Sequence, residues 1–173
     1  VIYTITPFTT LRCFEQIKIG VGYHNAPVII VGTGSGLSYA ELGPTHHSLE
    51  DIAILRTIPG INVLAPCDSI ELTAFLKESL SNANPTYIRI GKKGEPNLVP
   101  KTIKSKIGKA NLLKDGDDIL LLGIGPIIGE ALKAAKRVSG ETKLVGVTIL
   151  TSLNDESLKE IGYKNNVKKL VLH

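Results

Sequence analysis

The chain has 173 residues, of which 43% are hydrophobic and 21% charged, and its net charge is +4 at pH 7. This composition is typical of a globular protein, and no apolar run approaches the roughly 20 residues of a membrane-spanning helix. Because the start lacks the features of a signal peptide, and because two cysteines without metal-site or framework spacing indicate a reducing compartment, we expect a cytoplasmic protein without a membrane partner. The lysine clusters lack interleaved aromatic residues, so we expect no nucleic acid partner either.

Strand-like and helix-like segments alternate along almost the whole chain. The hydrophobic patterns predict strands at 1–5, 27–31, 61–65, 86–90, 109–113, 118–122, 144–149 and 169–172, and helices at 9–21, 48–58, 70–80, 127–138 and 155–161. Such alternation favours parallel sheets flanked by helices, which is an α/β fold.

Local signals sharpen three of these boundaries. Ser48 with Asp51, and Asp68 with Glu71, have the spacing of a capping box at a helix start. The Asp115-Gly116 pair predicts a tight turn, so the strands on either side of it could form a hairpin.

The chain also divides into segments. Residues 91–106 show no periodicity and contain several lysines, which predicts a linker at 93–107 between domains at 1–92 and 108–173. There is no methionine, the first residues are already strand-like, and the last strand reaches the chain end. We therefore expect both domains to be incomplete parts of a longer polypeptide.

The loop Gly32–His47 is the strongest candidate for function, since a loop of 16 residues is unusual in a compact domain. It ends in Thr45-His46-His47 at a predicted helix start, where free N–H groups and the helix dipole favour anions and a neutral imidazole for proton transfer. The alternative is that one histidine packs and the other is solvated. For His24, in a turn, we expect no function.

Two glycine-rich segments weakly resemble dinucleotide-binding loops. Gly32–Gly36 follows a strand but is continued by a long loop and not by a helix. Gly123–Gly129 has one extra residue in its spacing, and the next strand does not end in an acidic residue. Neither segment favours a nicotinamide site.

The segment GPTHHSLEDIAILRTIPGINVLAPCDSIE (Gly43–Glu71) resembles the central signature of the pyrimidine-binding domain in the transketolase family, which includes the 1-deoxyxylulose-5-phosphate synthases. Pro7–Gly32 is similar to the preceding helix and strand of that domain, and Asn84–Lys92 to its arginine-bearing strand. The sequence from residue 106 onward resembles the start of the family's C-terminal domain. The resemblance covers nearly the whole chain.

This resemblance implies a fragment or subunit of a thiamine-diphosphate-dependent enzyme that transfers a two-carbon ketol or acyl unit in carbohydrate metabolism. In the family the cofactor binds at a dimer interface, between this domain and a diphosphate-binding domain or subunit that also holds magnesium. That domain and the family's catalytic glutamate are absent from this chain. We therefore expect inactivity alone, activity in a homo- or hetero-oligomer such as a dimer, and a ketose or 2-oxo acid substrate.

The resemblance also implies residue roles. His46 matches a histidine that exchanges protons with the substrate, and Phe8 and Arg12 match residues at the cofactor. For Phe8 the alternative is a core position without a function. Arg89 matches an arginine that binds the substrate's anionic group, with a surface ion pair as the alternative. No metal ligand is expected in this chain.

Two positions depart from the family pattern. Gly34 and Leu42 stand where sugar-phosphate transketolases carry a histidine and an aspartate that contact sugar hydroxyls. Losing such partners normally loses the corresponding substrate preference. Two other functions stay open: a non-catalytic α/β assembly module, and a beta subunit of a 2-oxo-acid dehydrogenase decarboxylase, which the GPTHHS segment fits less well.

Overall fold

The computed structural model describes residues 1–116, 119–138, 142–146 and 168–172. The chain forms two compact units. The first comprises Val1–Ala65 and Leu76–Gly94, and the second comprises Pro66–Phe75 and Glu95–His173.

The first unit is built on a fully parallel sheet. Its strands are β1 (Ile2–Ile5), β2 (Ile29–Thr33), β3 (Asn62–Leu64) and β4 (Thr86–Ile90), in the order β1-β2-β4-β3. Every residue of β2 is buried, as expected for a central parallel strand that is covered on both faces.

The helical segments of this unit are short. They are α1 (Thr6–Thr9), α2 (Phe14–Gln16) with a π-helical turn at Ile17–Tyr23, a 3₁₀ turn at Ala40–Leu42, and α3 (Asp51–Leu55); α4 (Ser69–Asn82) contributes residues to both units. Ile17 and Leu55 pack into a core with Ile30 and Tyr87. Burying one such side chain stabilises a fold by about 1.5–3 kcal/mol.

The predicted helix at 9–21 is interrupted. α1 ends at Thr9, and helical structure resumes only at Phe14. The Thr10 hydroxyl donates to the carbonyl of Thr6 at 2.7 Å, the kind of local side-chain bond that competes with regular helix.

The second unit contains a mixed sheet. Its strands are β5 (Asn111–Lys114), β6 (Ile119–Gly123), β7 (Thr142–Gly146) and β8 (Lys168–Leu172), in the order β5-β7-β6-β8. β6 is parallel to both of its neighbours, and β5 is antiparallel to β7. α5 (Ile128–Arg137) follows a 3₁₀ turn at Gly125–Ile127.

The predicted hairpin across Asp115-Gly116 is wrong, because β7 lies between β5 and β6. The physical reason is the composition of β6. Its residues Leu120–Gly123 are buried, and such a strand is most stable in the centre of a sheet, with a parallel neighbour on each side. Of the other predicted elements, the helix at 155–161 lies outside the described residues.

The segment 95–107 packs within the second unit and is not a free linker. The backbone N–H groups of Leu98 and Val99 donate to Asp68 Oδ2 at 2.7 and 2.8 Å, and Val99 joins Cys67 and Ile128 in a core cluster. The lysines of this segment predict a solvated linker. The buried side chain of Val99 instead holds the segment against the core of the second unit. The domain limits at 92 and 108 otherwise stay predictions.

The two predicted capping boxes have opposite outcomes. Asp68 Oδ1 accepts the N–H groups of Ile70 and Glu71, both at 2.9 Å, so this cap is confirmed. The cap at Ser48 is wrong, since α3 begins at Asp51 and no side chain caps it. Asp51 is instead bound to strand β4, as described below. No helix within the described residues is both long and apolar enough to cross a membrane.

Candidate active site

The carboxyl ends of β1, β2 and β4 lie at one edge of the first sheet because these strands are parallel. β1 continues directly into α1, and β2 and β4 continue into loops. Hydrogen bonds join the three strand ends. Thr6 Oγ1 donates to the Thr33 carbonyl at 2.9 Å, and Thr33 Oγ1 donates to the Gly91 carbonyl at 3.0 Å. This is the edge where α/β proteins bind ligands.

The long loop after β2 is closed at its base. The Gly36 N–H donates to the Ser48 carbonyl at 3.0 Å, and the Ser48 N–H donates back at 2.9 Å. Near the tip, the His46 N–H donates to the Gly43 carbonyl at 3.0 Å. The two histidines are therefore held by a compact loop and not by a helix N-terminus, since α3 starts only at Asp51.

His46 lies among aromatic side chains. Its ring centroid is 5.0 Å from that of Phe8 and 6.1 Å from that of Tyr39, in edge-to-face arrangements. The Arg12 guanidinium lies 4.2 Å from the Phe8 ring centroid. His46 Nδ1 lies 3.0 Å from Thr45 Oγ1, which leaves Nε2 to meet a reactant. The structure thus brings three of the four predicted site residues together.

Arg89, the fourth, lies in a buried polar network below the loop. Its Nε donates to Asp51 Oδ2 at 2.9 Å, and its Nη2 donates to the Ser48 carbonyl at 3.2 Å. The Tyr87 hydroxyl also donates to Asp51 Oδ2, at 2.6 Å. The Arg89 side chain is 18% exposed and that of Asp51 is fully buried, so the ion pair is internal and not the surface pair that the sequence left open.

The electrostatics of this network follow from its burial. Burial raises the pKa of Tyr87 well above its usual value, and the neighbouring Asp51 carboxylate raises it further. Tyr87 is therefore a protonated donor at neutral pH. Tyr87 and Arg89 both donate to Asp51 Oδ2. The Asp51 carboxylate therefore holds the guanidinium on its Nε side.

Three buried polar atoms near the histidines have no hydrogen-bond partner within the described part of the chain: Asp51 Oδ1, Ser48 Oγ and His47 Nε2. A buried atom in that state costs about 1–3 kcal/mol. Such atoms are rare in stable cores and call for a local explanation. Here they belong to residues 47–51, which follow His46 directly in the chain.

Sequence reasoning missed Asp51, Tyr87 and Tyr39. Asp51 had been assigned to a helix cap, although an acidic residue with an arginine and a tyrosine on one later strand is also the pattern of an internal ion pair. Tyr39 lay inside the long loop without a motif to mark it. No signal in the sequence placed its ring beside His46.

Two further expectations concern ligands. A Cβ atom at Gly123 would lie 2.5 Å from Ile128 Cδ1, so the glycine at this position lets the Ile128 side chain pack closely against β6. The structure thus gives the dinucleotide alternative no support there. Within the described ranges, no cluster of three or more His, Cys, Asp or Glu residues could hold a metal ion.

Known proteins resemble this chain in sequence and in fold. The family model described as "Transketolase, pyrimidine binding domain" matches residues 1–95, more than half of the chain. The chain belongs to the transketolase family. The resemblance inferred from the THH segment and the expected α/β fold are both confirmed.

Named relatives agree with this assignment. An apulose-4-phosphate transketolase subunit of Phocaeicola vulgatus is 37% identical over 128 residues, which are 73% of this chain and 41% of the relative. A 1-deoxy-D-xylulose-5-phosphate synthase of a Synechococcus species is 35% identical over 157 residues, which are 87% of this chain and 24% of that protein. The chain thus spans less than half the length of these relatives.

Among solved structures, one described as "Split gene transketolase, inactive beta4 tetramer" superposes with a TM-score of 0.82 at 26% sequence identity. The match covers 98% of this chain and 56% of that one. The chain is therefore similar in fold to about half of a protein described as a split-gene transketolase.

Proposed function

We propose that this transketolase-family chain supplies the pyrimidine-binding side of the site in a thiamine-diphosphate-dependent transferase, which moves a two-carbon ketol or acyl unit. The observation that supports this most is the grouping of Phe8, Arg12 and His46 at the carboxyl edge of the first sheet. Those residues lie inside the segment that the pyrimidine-binding family model matches.

The residues present fit the pyrimidine part of thiamine diphosphate. Phe8 is half-buried, with its ring beside His46, and a flat aromatic surface suits stacking against a heteroaromatic ring. Arg12, which is exposed beside that ring, would hold the cofactor in place. Thiamine diphosphate supplies an electron sink for carbon–carbon bond cleavage when it is bound. Magnesium would be held by the diphosphate-binding domain or subunit.

His46 is the proposed catalytic residue and also contacts substrate. With Nδ1 beside Thr45 Oγ1, Nε2 would donate a proton to, or accept one from, an oxygen on the reacting substrate. Such a positioned acid–base group contributes about 100- to 10,000-fold to a rate.

Arg89 is the proposed anion-binding residue for the substrate. Asp51 and the Ser48 carbonyl hold Nε and Nη2, so the other N–H groups of the guanidinium keep a fixed direction. A planar guanidinium with fixed donors suits a phosphate or carboxylate, and fixing it in advance lowers the entropy lost on binding.

The proposed working form is a homo- or hetero-oligomer, with a dimer as its smallest unit, in which a diphosphate-binding domain or subunit completes the cofactor site. Relatives named as transketolase subunits support this arrangement. The proposed substrates are small ketoses or 2-oxo acids of carbohydrate metabolism, and the proposed location is the cytoplasm. On this proposal the chain alone is inactive.

The test uses the complete natural protein with its partner subunit. Calorimetric titration with thiamine diphosphate and magnesium should show binding, and His46→Ala should lower kcat about 100-fold or more while cofactor affinity stays the same. Phe8→Ala should weaken cofactor binding up to about tenfold. His24→Ala, at an exposed turn histidine, is the matched control and should change neither quantity.

A complete assembly that binds no thiamine diphosphate would overturn the proposal and favour the non-catalytic assembly module. An assembly that binds the cofactor and acts only on 2-oxo acids by decarboxylation would favour the 2-oxo-acid dehydrogenase alternative. Turnover of a ketose donor supports the transketolase-type reaction.

A further inference from the structure

Gly34 and Tyr39 form an unusually close pair in the long loop. Gly34 follows β2 directly, and its φ is +79°, a conformation that favours glycine. A Cβ atom at this position would lie only 1.9 Å from Tyr39 Cε2 and 2.4 Å from Cδ2. The Tyr39 ring therefore lies on the bare backbone of Gly34, in the space that a side chain at position 34 would need.

The Tyr39 ring is fixed by its neighbours. The Lys92 ammonium lies 4.5 Å from the ring centroid and is itself 3.1 Å from Glu41 Oε1. The loop backbone around the ring is also bonded, with Ser38 Oγ donating to the Ser35 carbonyl at 2.6 Å and the Leu42 N–H donating to the Tyr39 carbonyl at 2.9 Å. A cation over an aromatic face adds attraction that opposes reorientation of the ring.

This fixed ring stands beside the proposed proton-transfer group. The centroids of Tyr39 and His46 are 6.1 Å apart, with an interplanar angle of 63°. Phe8 lies against the same imidazole at 5.0 Å. A substrate atom that reaches His46 Nε2 would therefore enter a space whose neighbouring side chains are aromatic.

We propose that Tyr39, seated on Gly34, is the specificity-determining residue of this site and limits the bulk of the donor substrate beside His46. This inference rests on the proposed function and deepens it. The Tyr39 ring occupies the space that a side chain at position 34 would take, and it presents a mostly apolar surface there. The favoured donors are short 2-oxo acids or ketols, since a longer polyhydroxy chain would meet the ring and lack a polar partner from position 34.

The expected change in donor preference can be estimated from how strongly enzymes select substrates by size. Differences of a methylene group in an apolar pocket change kcat/KM by about 10- to 200-fold. Removal of a whole ring that is held in place should therefore change the relative use of short and long donors by about tenfold or more. Removal of the hydroxyl alone should change it by less than about threefold, because the wall remains.

The experiment compares hydroxypyruvate, a short donor, with xylulose 5-phosphate, a long one, in the complete enzyme loaded with thiamine diphosphate and magnesium. In Tyr39→Ala, the ratio of kcat/KM for the long donor to that for the short donor should rise about tenfold. Tyr39→Phe should keep the wild-type ratio. Leu37→Ala, at an exposed position in the same loop, is the matched control and should also keep it.

Cofactor affinity separates selectivity from general damage. It should be equal in wild type, Tyr39→Ala and Leu37→Ala. If Tyr39→Ala loses cofactor binding, Tyr39→Leu is used in its place, because it removes the ring but keeps an apolar side chain in the loop. The ratio of kcat/KM for the long donor to that for the short donor should again rise.

An unchanged ratio in a variant that binds cofactor normally overturns the role of Tyr39 and leaves the proposed function standing. A wild-type enzyme that binds thiamine diphosphate but does not favour the short donor over the long one also overturns the role of Tyr39. An assembly that binds no thiamine diphosphate overturns the proposed function, and the role of Tyr39 falls with it.

Discussion

Within the described residues, each unit of the protein contains a buried aspartate that several donors approach, but the two are used differently. Asp68, in the second unit, accepts two backbone N–H groups on each oxygen, from Ile70 and Glu71 on one and from Leu98 and Val99 on the other. Asp51, in the first unit, accepts the side chains of Tyr87 and Arg89 on a single oxygen. Its other oxygen has no partner in the described part of the chain.

The difference separates a structural carboxylate from one that contacts Arg89, a residue of the candidate site. Asp68 joins two stretches of backbone that are distant in sequence, and both of its oxygens are saturated, as is usual for a stable interior. Asp51 orients an arginine and a tyrosine beneath the His46 loop and keeps acceptor capacity unused. Departures from local satisfaction concentrate at functional sites, where they are compensated elsewhere in the fold.

The largest expected effect is that of Asp68→Ala. The change leaves four backbone N–H groups without an acceptor, and we expect the unfolding free energy of the complete protein to fall by about 3–5 kcal/mol. Urea unfolding measures this loss. Hydrogen exchange should show faster exchange at the amides of Leu98 and Val99, which donate to Asp68.

A surface carboxylate provides the control for Asp68. Glu130 is 65% exposed in its pair with Lys133, and pairs of that kind contribute about 0.5 kcal/mol or less. Glu130→Ala should therefore leave the urea midpoint almost unchanged. A loss below about 1 kcal/mol in Asp68→Ala would contradict the structural assignment.

The second prediction concerns Asp51→Asn, which removes the charge but keeps the size. The Arg89 guanidinium then loses its counter-ion in a largely buried setting, and we expect a loss of about 2–3 kcal/mol in unfolding free energy. Because Arg89 would no longer be held in one orientation, KM for a phosphorylated substrate should also rise, by about tenfold. Steady-state kinetics on the complete enzyme measures that change.

The two aspartates are thus distinguished by kinetics and not by stability alone. Asp68→Ala should leave KM and kcat of the folded fraction unchanged, whereas Asp51→Asn should raise KM for the anionic substrate. Arg89→Lys, which keeps the charge but loses the planar fork, should resemble Asp51→Asn in KM. Equal kinetic effects from the two aspartate variants would remove the distinction between them.

Much of the fold followed from periodicity. The strand at 86–90 was predicted with the bounds that the structure shows, because a short segment rich in β-branched and aromatic residues between turn residues is typical of a strand. The hairpin across Asp115-Gly116 failed because strand order depends on which strand is buried in the sheet, and a turn motif reports only local backbone preference. The packing of Val99 was missed for the same kind of reason, since long-range burial overrides local composition.

Some residues of the candidate site were predicted from the sequence, and others were not. His46, Phe8 and Arg12 were found because they lie within a family signature. The structure places the His46 ring 5.0 Å and the Arg12 guanidinium 4.2 Å from the Phe8 ring centroid. Asp51 and Tyr39 were not found, because their roles depend on tertiary contacts. Asp51 contacts side chains of strand β4, and the Tyr39 ring packs on the backbone of Gly34. An Asp near a helix start predicts a cap when only neighbours are considered. Its partner Tyr87 is 36 positions away, which spacing within one element cannot reveal.

The smallest expected effect is that of Tyr87→Phe, which removes one donor from Asp51. At pH 7 the unfolding free energy should fall by about 1–2 kcal/mol, since the carboxylate keeps Arg89 as a donor.

The pH dependence of stability tests the same contact. Burial and the Asp51 charge raise the pKa of Tyr87 in the folded state above the unfolded value of 10.0, so its protonated form favours folding. That contribution is complete below pH 10 and is lost as the pH rises above it. The wild-type unfolding free energy should therefore decline above pH 10 more steeply than that of Tyr87→Phe. Burial also raises the pKa of Cys67, which adds a decline of its own, so both proteins are compared in a Cys67→Ala background by urea unfolding between pH 7 and pH 11. Parallel curves would show that Tyr87 does not carry its proton into the interior as a donor to Asp51.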